Sequence, residues 1–296
     1  MARRAVDKLK RYGVALDPRW VIARVIGFED SKIDVAAMLY TALSLYSERS
    51  SRRHFVKQLE SRHVNVVFDV GANAGQYAVG LRKAGYKGRI ISFEPLSKPF
   101  KLLERRAAKD PLWDCRQCAI GDFDGTTSIN VAGNAGLSSS VLPMLKSHQD
   151  AFPPANYIGT QEVPIYRLDS LTPELLSPSD VTFLKIDVQG FERQALAGSK
   201  STVGERCVGM QLELSFVPLY EGSMLIRESL DLAYSFGFTL TELLPCFIDV
   251  RNGRMLQADG IFFGEDDWPD MHMDPSSSQT ADGAPSLRSA EEIDFG

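Results

Sequence analysis

The sequence predicts an α/β protein: a mostly parallel sheet with helices on both faces and an antiparallel edge. Three observations carry this. Short apolar runs alternate with helical patterns from Val64 onward. The first run leads straight into a glycine turn and a helix face, VNVVFDVGANAGQYA at 64–78. The last two strand patterns, Phe238 to Leu243 and Ala258 to Phe263, have only Asn252-Gly253 as a turn signal between them, which implies antiparallel pairing.

Residues 1–62 read as helices placed ahead of the main domain: Val6 to Tyr12, Arg19 to Ile26, Ile33 to Leu45 and Arg52 to Leu59. They would form a cap on the sheet, a lid over an acceptor substrate, or a dimer surface. The domain itself spans 63–264. Val66, Val67 and Phe68 form a buried parallel strand with Asp69 at its end. Its helix stops near Gly85. Arg89 to Phe93 is the second strand, ended by Glu94-Pro95, and a helix follows from Ser97 to Ala108. Trp113 to Ile120 reads as one third strand. Asp124-Gly125 signals a hairpin into Thr126 to Val131. Residues 132–160 are the least regular stretch, and a loop that long is usually functional or disordered. Glu162 to Tyr166 resumes as strand. Val181 to Ile186 is a fourth buried strand ended by Asp187, with Gln189-Gly190 turning into a helix from Phe191 to Ala197. Cys207 to Leu214 is the fifth, carrying Glu213. Ser223 is expected to cap a helix that Gly237 stops.

The net charge of −5 is unevenly spread. Residues 265–296 hold nine acids and one base, Arg288, so that tail carries −8 and the other 264 residues +3. The tail reads as solvated and disordered, and nucleic acid is not the expected partner. Cys115 and Cys118 form a C-x-x-C with no second pair at zinc spacing, so they read as packed thiols on opposite faces of a strand. Nothing suggests disulfides, which points to a reducing, cytoplasmic setting. The basic start leads into no apolar core of a signal peptide, and the longest apolar stretch, Val35 to Leu45, is too short to cross a bilayer. Peripheral contact with a membrane and the oligomeric state stay open.

The chemistry is expected at the strand ends. The turn spacing is G-x-x-x-G, from Gly71 through Asn73 to Gly75, and an acid precedes it. Dinucleotide turns use G-x-G-x-x-G to admit a pyrophosphate. An acid repels a diphosphate but suits an ammonium group, and S-adenosylmethionine carries an ammonium and a sulfonium and no phosphate. Free N–H groups of the turn would face that ligand. Asp69 would receive the ammonium, directly or through water, so Asp69→Ala is expected to weaken cofactor binding without unfolding the chain. Glu94 would take both ribose hydroxyls. Ile120 and Asp122 would flank the adenine. The turn spacing and Asp69 disfavour an NAD-dependent oxidoreductase, while Glu94 would serve either cofactor class.

Methyl transfer to an alcohol needs alignment and a base for the leaving proton. Asp187 is the first candidate and His148 the second, although a lone loop histidine reads first as exposed and idle. Lys185 reads first as the partner of a neighbouring acid. Asp187, Glu192 and Glu213 could instead gather a divalent cation, a reading disfavoured because no close Asp-Asp pair or histidine accompanies them.

The stretches FDVGANAGQYA at 68–78, SFEP at 92–95, AIGDFDG at 119–125, Ser138-Ser139-Ser140, RLDSL at 167–171, LKIDVQGFERQALAG at 184–198 and LELSFVPLYEG at 212–222 together resemble the FkbM-type methyltransferases. Gln189 stands where many members carry glutamate, which weakens a role there as base or metal ligand. The resemblance implies the seven-stranded, Rossmann-like class I methyltransferase sheet. It also implies S-adenosylmethionine at Asp69, Gly71, Asn73, Gly75 and Glu94, and O-methylation of a small molecule. A sugar hydroxyl of a glycolipid or glycoside is the first expectation; a polyketide or other secondary metabolite is the alternative. A rival of another class is a non-catalytic S-adenosylmethionine-binding scaffold.

Overall fold

The computed structural model describes residues 51–264. The expectations for residues 1–50 and for the acidic tail lie outside the described residues. Among the described residues, no helix is long and apolar enough to cross a membrane.

The chain opens with helix α1 (51–61) and then strand β1, Val66–Val70. Helix α2 (Gln76–Ala84), β2 (Arg89–Phe93), helix α3 (Ser97–Ala107) and β3 (Trp113–Arg116) follow. Next come β4 (Ala119–Ile120), β5 (Gly125–Ala132), α4 (Lys146–Ala151), β6 (Tyr157–Tyr166) and α5 (Leu168–Leu175). The chain then forms β7 (Thr182–Ile186), α6 (Glu192–Ala197), α7 (Lys200–Arg206), β8 (Cys207–Ser215) and α8 (Ile226–Ser235). The hairpin of β9 (Phe238–Asp249) and β10 (Arg254–Gly264) ends the described chain.

Seven strands form the main sheet in the order β3-β2-β1-β7-β8-β10-β9. The first five are parallel; β10 lies antiparallel between β8 and β9. The order reverses beside β1, where β2 lies on one side and β7 on the other, so a crevice opens there at the carboxyl ends.

Strand alternation explains the two cores. Val66, Phe68 and Val70 face one side with residues of α5, α6, α7 and α8; Val67 faces the other with Phe55 and Leu59 of α1, Leu81 of α2 and Leu103 of α3. All of these are buried, and each large one contributes roughly 1.5–3 kcal/mol. Asp69 shares the second face with Val67, so its carboxylate is committed to a helix-covered interior. Cys115 packs toward this second core and Cys118 lies in the first, on opposite faces as expected. Both are free thiols, and burial raises both pKa values, that of Cys118 to about 12.

Three local expectations are corrected. The third strand is two. β3 pairs with β2, but after Gln117 and Cys118 the chain leaves the main sheet, and β4 pairs with β6 in a second, three-stranded sheet of order β4-β6-β5. Gln117 marks the break, its amide donating to Ser97 Oγ at 3.0 Å. The stretch 132–160 is not all loop: α4 and the start of β6 lie within it. Finally, the cap of α8 is Leu225, not Ser223. The Glu228 carboxylate accepts the Leu225 N–H at 3.0 Å, while Ser223 Oγ turns to the Tyr220 carbonyl.

Candidate functional site

The crevice at the strand ends is open to solvent on one side. Gly71 and Asn73 line it from the β1 exit, Glu94 and Leu96 from the β2 exit, and Asp187 and Gln189 from the β7 exit. Ile120 of β4 and Ile129 of β5 close it from the second sheet, with Ser139 and Ser140 beside them. The structure therefore brings Gly71, Asn73, Glu94, Ile120 and Asp187 to one crevice. Asp69, Gly75, Asp122 and His148 are not among its lining residues.

The glycine turn is held from within. The N–H groups of Gly71 and Ala72 both donate to the Phe93 carbonyl at 3.0 Å. Asn73 N–H donates to Glu94 Oε2 at 2.8 Å, and Ala74 N–H to Asn73 Oδ1 at 2.8 Å. Gly75 N–H reaches the Ala72 carbonyl at 2.8 Å. The expectation of free turn N–H groups is overturned: all five are used, so the turn offers no cradle for a phosphate. Gly71 is glycine because its φ is +76° and because a Cβ there would strike the Asp187 carbonyl. It lets the two strand exits touch. At Gly75 a Cβ would meet the Trp113 ring at 2.8 Å, so that glycine serves packing.

Glu94 is 5% exposed. Its Oε2 takes the Asn73 N–H, and its Oε1 takes the Leu96 N–H at 2.8 Å. Burial pushes its pKa up to about 7, against the opposing effect of those two N–H groups.

Asp69 is fully buried. Oδ2 accepts from Ser92 Oγ at 3.1 Å, and Oδ1 lies 3.2 Å from Lys185 Nζ. Ser92 Oγ in turn accepts from Trp113 Nε1 at 3.0 Å. Lys185, itself buried, also donates to the Val70 and Gly71 carbonyls at 3.2 and 3.0 Å and lies 3.6 Å from Asp187 Oδ2. Burial alone would lower the lysine pKa, but Asp69 and then Asp187 raise it above its ordinary value, so the ammonium stays charged. The expected ion pair of Lys185 is thus present, and it encloses Asp69.

Asp187 follows β7 with its side chain 35% exposed, against 0% for Asp69. Its Oδ1 accepts from Gln189 Nε2 at 2.8 Å. The same nitrogen donates to Glu213 Oε2 at 3.0 Å, and Tyr220 Oη donates to Gln189 Oε1 at 2.7 Å. Gln189 adopts φ +57°, uncommon for a residue with a side chain. Glu192 Oε1 holds the turn by accepting the Val188 and Gly190 N–H groups, each at 3.1 Å. Burial raises the Glu192 pKa to about 7, with Asp187 adding to it. The same order of causes, burial and then Asp187, raises Glu213 well above the carboxylate range. Glu192 thus holds the turn, while Asp187 and Glu213 share the Gln189 amide. Among the described residues no group of three or more His, Cys, Asp or Glu side chains is placed to hold a metal ion.

His148 is not an exposed loop residue. It sits in α4, 2% exposed, with its ring 5.2 Å from those of Tyr220 and Phe247. Burial lowers its pKa to about 4, so it is neutral at physiological pH. Asp122 lies in an exposed turn after β4.

Sequence reasoning did not anticipate the Gln189 bridge or Tyr220. A signal was present: Gln189-Gly190, two residues past the strand-ending Asp187, marks a tight turn beside that acid.

Comparison with known proteins places these features in a group. The family model described as the methyltransferase FkbM domain matches residues 69–244. The 2-O-methyltransferase NoeI of Sinorhizobium fredii (strain NBRC 101917 / NGR234) is 30% identical over 179 residues, which cover 58% of this chain and 72% of that protein. The 31-O-demethyl-FK506 methyltransferase FkbM of Streptomyces tacrolimicus is 26% identical over 174 residues, 52% of this chain and 65% of that protein. Among solved structures, magnesium protoporphyrin IX methyltransferase from Synechocystis PCC 6803 aligns with a TM-score of 0.41 and 10% identity, covering 88% of this chain and 97% of that one.

Proposed function

The chain belongs to the FkbM methyltransferase family, and from that premise we propose that it is an S-adenosylmethionine-dependent O-methyltransferase acting on a small-molecule hydroxyl, first a sugar hydroxyl of a glycolipid or glycoside. One observation carries the reading: two carboxylates of different standing, Glu94 and Asp187, face one crevice at the switch point of the sheet.

The residues present fit this cofactor. The turn spends its N–H groups internally, which suits a ligand without phosphate. Glu94, fixed by two backbone donors, keeps lone pairs for the hydroxyls of a ribose. Phe93, Leu96, Ile120 and Phe191 give apolar walls suited to a purine. S-adenosylmethionine, when bound, supplies an electrophilic methyl group on a good leaving group. Asp69 acts from behind the crevice, by holding Lys185 charged against the Val70 and Gly71 carbonyls.

The chain's task is then to align the acceptor and take its proton. Asp187 is placed for this: partly open, one oxygen fixed by Gln189, and Oδ2 free to accept a hydroxyl proton while Lys185 lies 3.6 Å away. Alignment is worth on the order of 7 kcal/mol and a base roughly 10²–10⁴-fold. His148 is buried and not among the lining residues, which favours Asp187 over it as the base. The Sinorhizobium relative, a 2-O-methyltransferase, supports methylation of a hydroxyl, and the choice of a sugar rests on the family resemblance. The Streptomyces relative, which methylates a demethyl-FK506, supports the alternative of a polyketide hydroxyl.

A calorimetric titration with S-adenosylmethionine, S-adenosylhomocysteine and NAD, with and without magnesium, tests the cofactor. Selective binding of the two methionine derivatives is expected; binding of NAD alone overturns the assignment. Release of S-adenosylhomocysteine with a panel of glycosides and polyketide alcohols then separates an enzyme from a scaffold and one acceptor class from the other.

A further inference from the structure

We propose that Gln189 is a positioning residue whose side-chain amide takes the place of a divalent cation between Asp187 and Glu213. Two carboxylates that face each other over a short gap repel unless something positive lies between them, a proton, a metal ion or an N–H donor. Here one amide nitrogen fills that place with both its hydrogens, lying 2.8 Å from Asp187 Oδ1 and 3.0 Å from Glu213 Oε2. Which way the amide points follows from its partners. The Tyr220 hydroxyl donates to Oε1 at 2.7 Å, and turning the amide over would aim its oxygen at two carboxylates.

The surrounding structure keeps the amide there. The backbone at Gln189 holds φ +57°, and Gly190 lies against Tyr220 so closely that a Cβ would come within 2.8 Å of it. Glu192 accepts the N–H groups on both sides of Gln189. Gln257 donates to the same Glu213 oxygen at 2.7 Å, so Glu213 is fixed from its other side. A residue held in an uncommon conformation by this many neighbours fits a task beyond packing. The task is to fix the Asp187 rotamer, with Oδ1 on the amide and Oδ2 beside Lys185, without a metal ion. The catalytic consequence rests on the reading of Asp187 as proton acceptor; the bridge itself does not.

The test uses the full chain and manganese(II) as probe, followed by electron paramagnetic resonance and by calorimetry. Gln189→Glu replaces the donor with a third carboxylate facing two others. It should bind manganese at least about tenfold more tightly than wild type. Adding Asp187→Asn to it should abolish the gain. The exchange Gln189→Glu/Glu213→Gln, which keeps one amide among the three, should bind manganese as weakly as wild type. If Gln189→Glu does not fold in the absence of metal, its recovery on refolding with manganese, and the folding of the exchange variant without it, give the same answer. Manganese binding by wild type as tight as by Gln189→Glu overturns the proposal. So does a folded Gln189→Glu with no gain in manganese affinity, or a gain that survives loss of Asp187. The binding readout requires no turnover, so it stands apart from the Asp187→Asn turnover test of the proton acceptor.

Discussion

Asp69 is the penultimate residue of β1 and Asp187 follows β7, and the two exits are assembled from matching parts. Each acid is followed by a left-handed turn, at Asn73 with φ +47° and at Gln189 with φ +57°. In each, a buried glutamate accepts two backbone N–H groups, Glu94 from Asn73 and Leu96, Glu192 from Val188 and Gly190. Burial raises both glutamates to about 7. The difference is Lys185, which lies against both acids but encloses only Asp69. An acid at a strand end is therefore sealed or left open according to what covers it. The cost of burying an unpaired carboxylate, several kcal/mol, explains why the covered one needs its lysine.

The largest effect expected is on turnover. Asp187→Asn should lower the rate of methyl transfer roughly 10²–10⁴-fold while S-adenosylhomocysteine affinity changes little. A radiolabelled methyl-transfer assay beside calorimetry checks this, and full activity would remove Asp187 from proton transfer. The matching change at the other exit should act on folding. Asp69→Ala leaves a buried ammonium without its closest carboxylate and should lower stability by about 3 kcal/mol in a denaturant melt. This replaces the expectation from the sequence of a variant that folds normally and binds poorly. Asp69→Ala/Lys185→Met should recover much of the loss; no recovery would deny that the pair is the cause.

The two glutamates sharpen the comparison further. Glu94 uses both oxygens, so Glu94→Gln forfeits one backbone partner as well as the charge. S-adenosylmethionine affinity should fall about tenfold. In wild type the hydroxyl-accepting form is the ionised one, so affinity should decline as pH falls through about 7, and this dependence should be absent in Glu94→Gln. A pH-independent wild-type affinity would separate Glu94 from the ribose. Glu192 uses Oε1 for both N–H groups, and a glutamine oxygen can do the same. Glu192→Gln should have the smallest effect, with cofactor affinity unchanged. Its folded pKa is raised, so its stabilising contribution is complete below about 4.5 and lost as pH rises through about 7. The variant should therefore lose less stability than wild type across that window, as thermal melts at several pH values will show.

Much of this was legible in the sequence. Apolar runs ending in an acid located β1, β2 and β7, because strands buried on both faces leave a plain apolar signature. Glu94 could be placed because it ends such a run. The break after Arg116 could not: WDCRQCAI reads as one strand, and only the pairing partner of each half, β2 or β6, parts them. The fate of Asp69 was hidden for a related reason. Lys185 meets it through register between strands whose paired residues lie 116 positions apart, and local pattern does not encode register between distant segments. His148 shows the same limit, since its burial depends on Tyr220 and Phe247 arriving from elsewhere.

The break after Arg116 also has a consequence for descent. β5 and β6 pair with each other, and β6 with β4; none of the three pairs with a strand of the main sheet. Lengthening or shortening the hairpin would disturb no ladder of the main sheet, yet Ile129 and the Ser139-Ser140 pair bring this module to the crevice wall. Selection for a new acceptor can thus act on residues 125–166 while the cofactor machinery stays fixed. A common chassis with an exchangeable wall is one physical route by which a single family comes to modify chemically unlike alcohols.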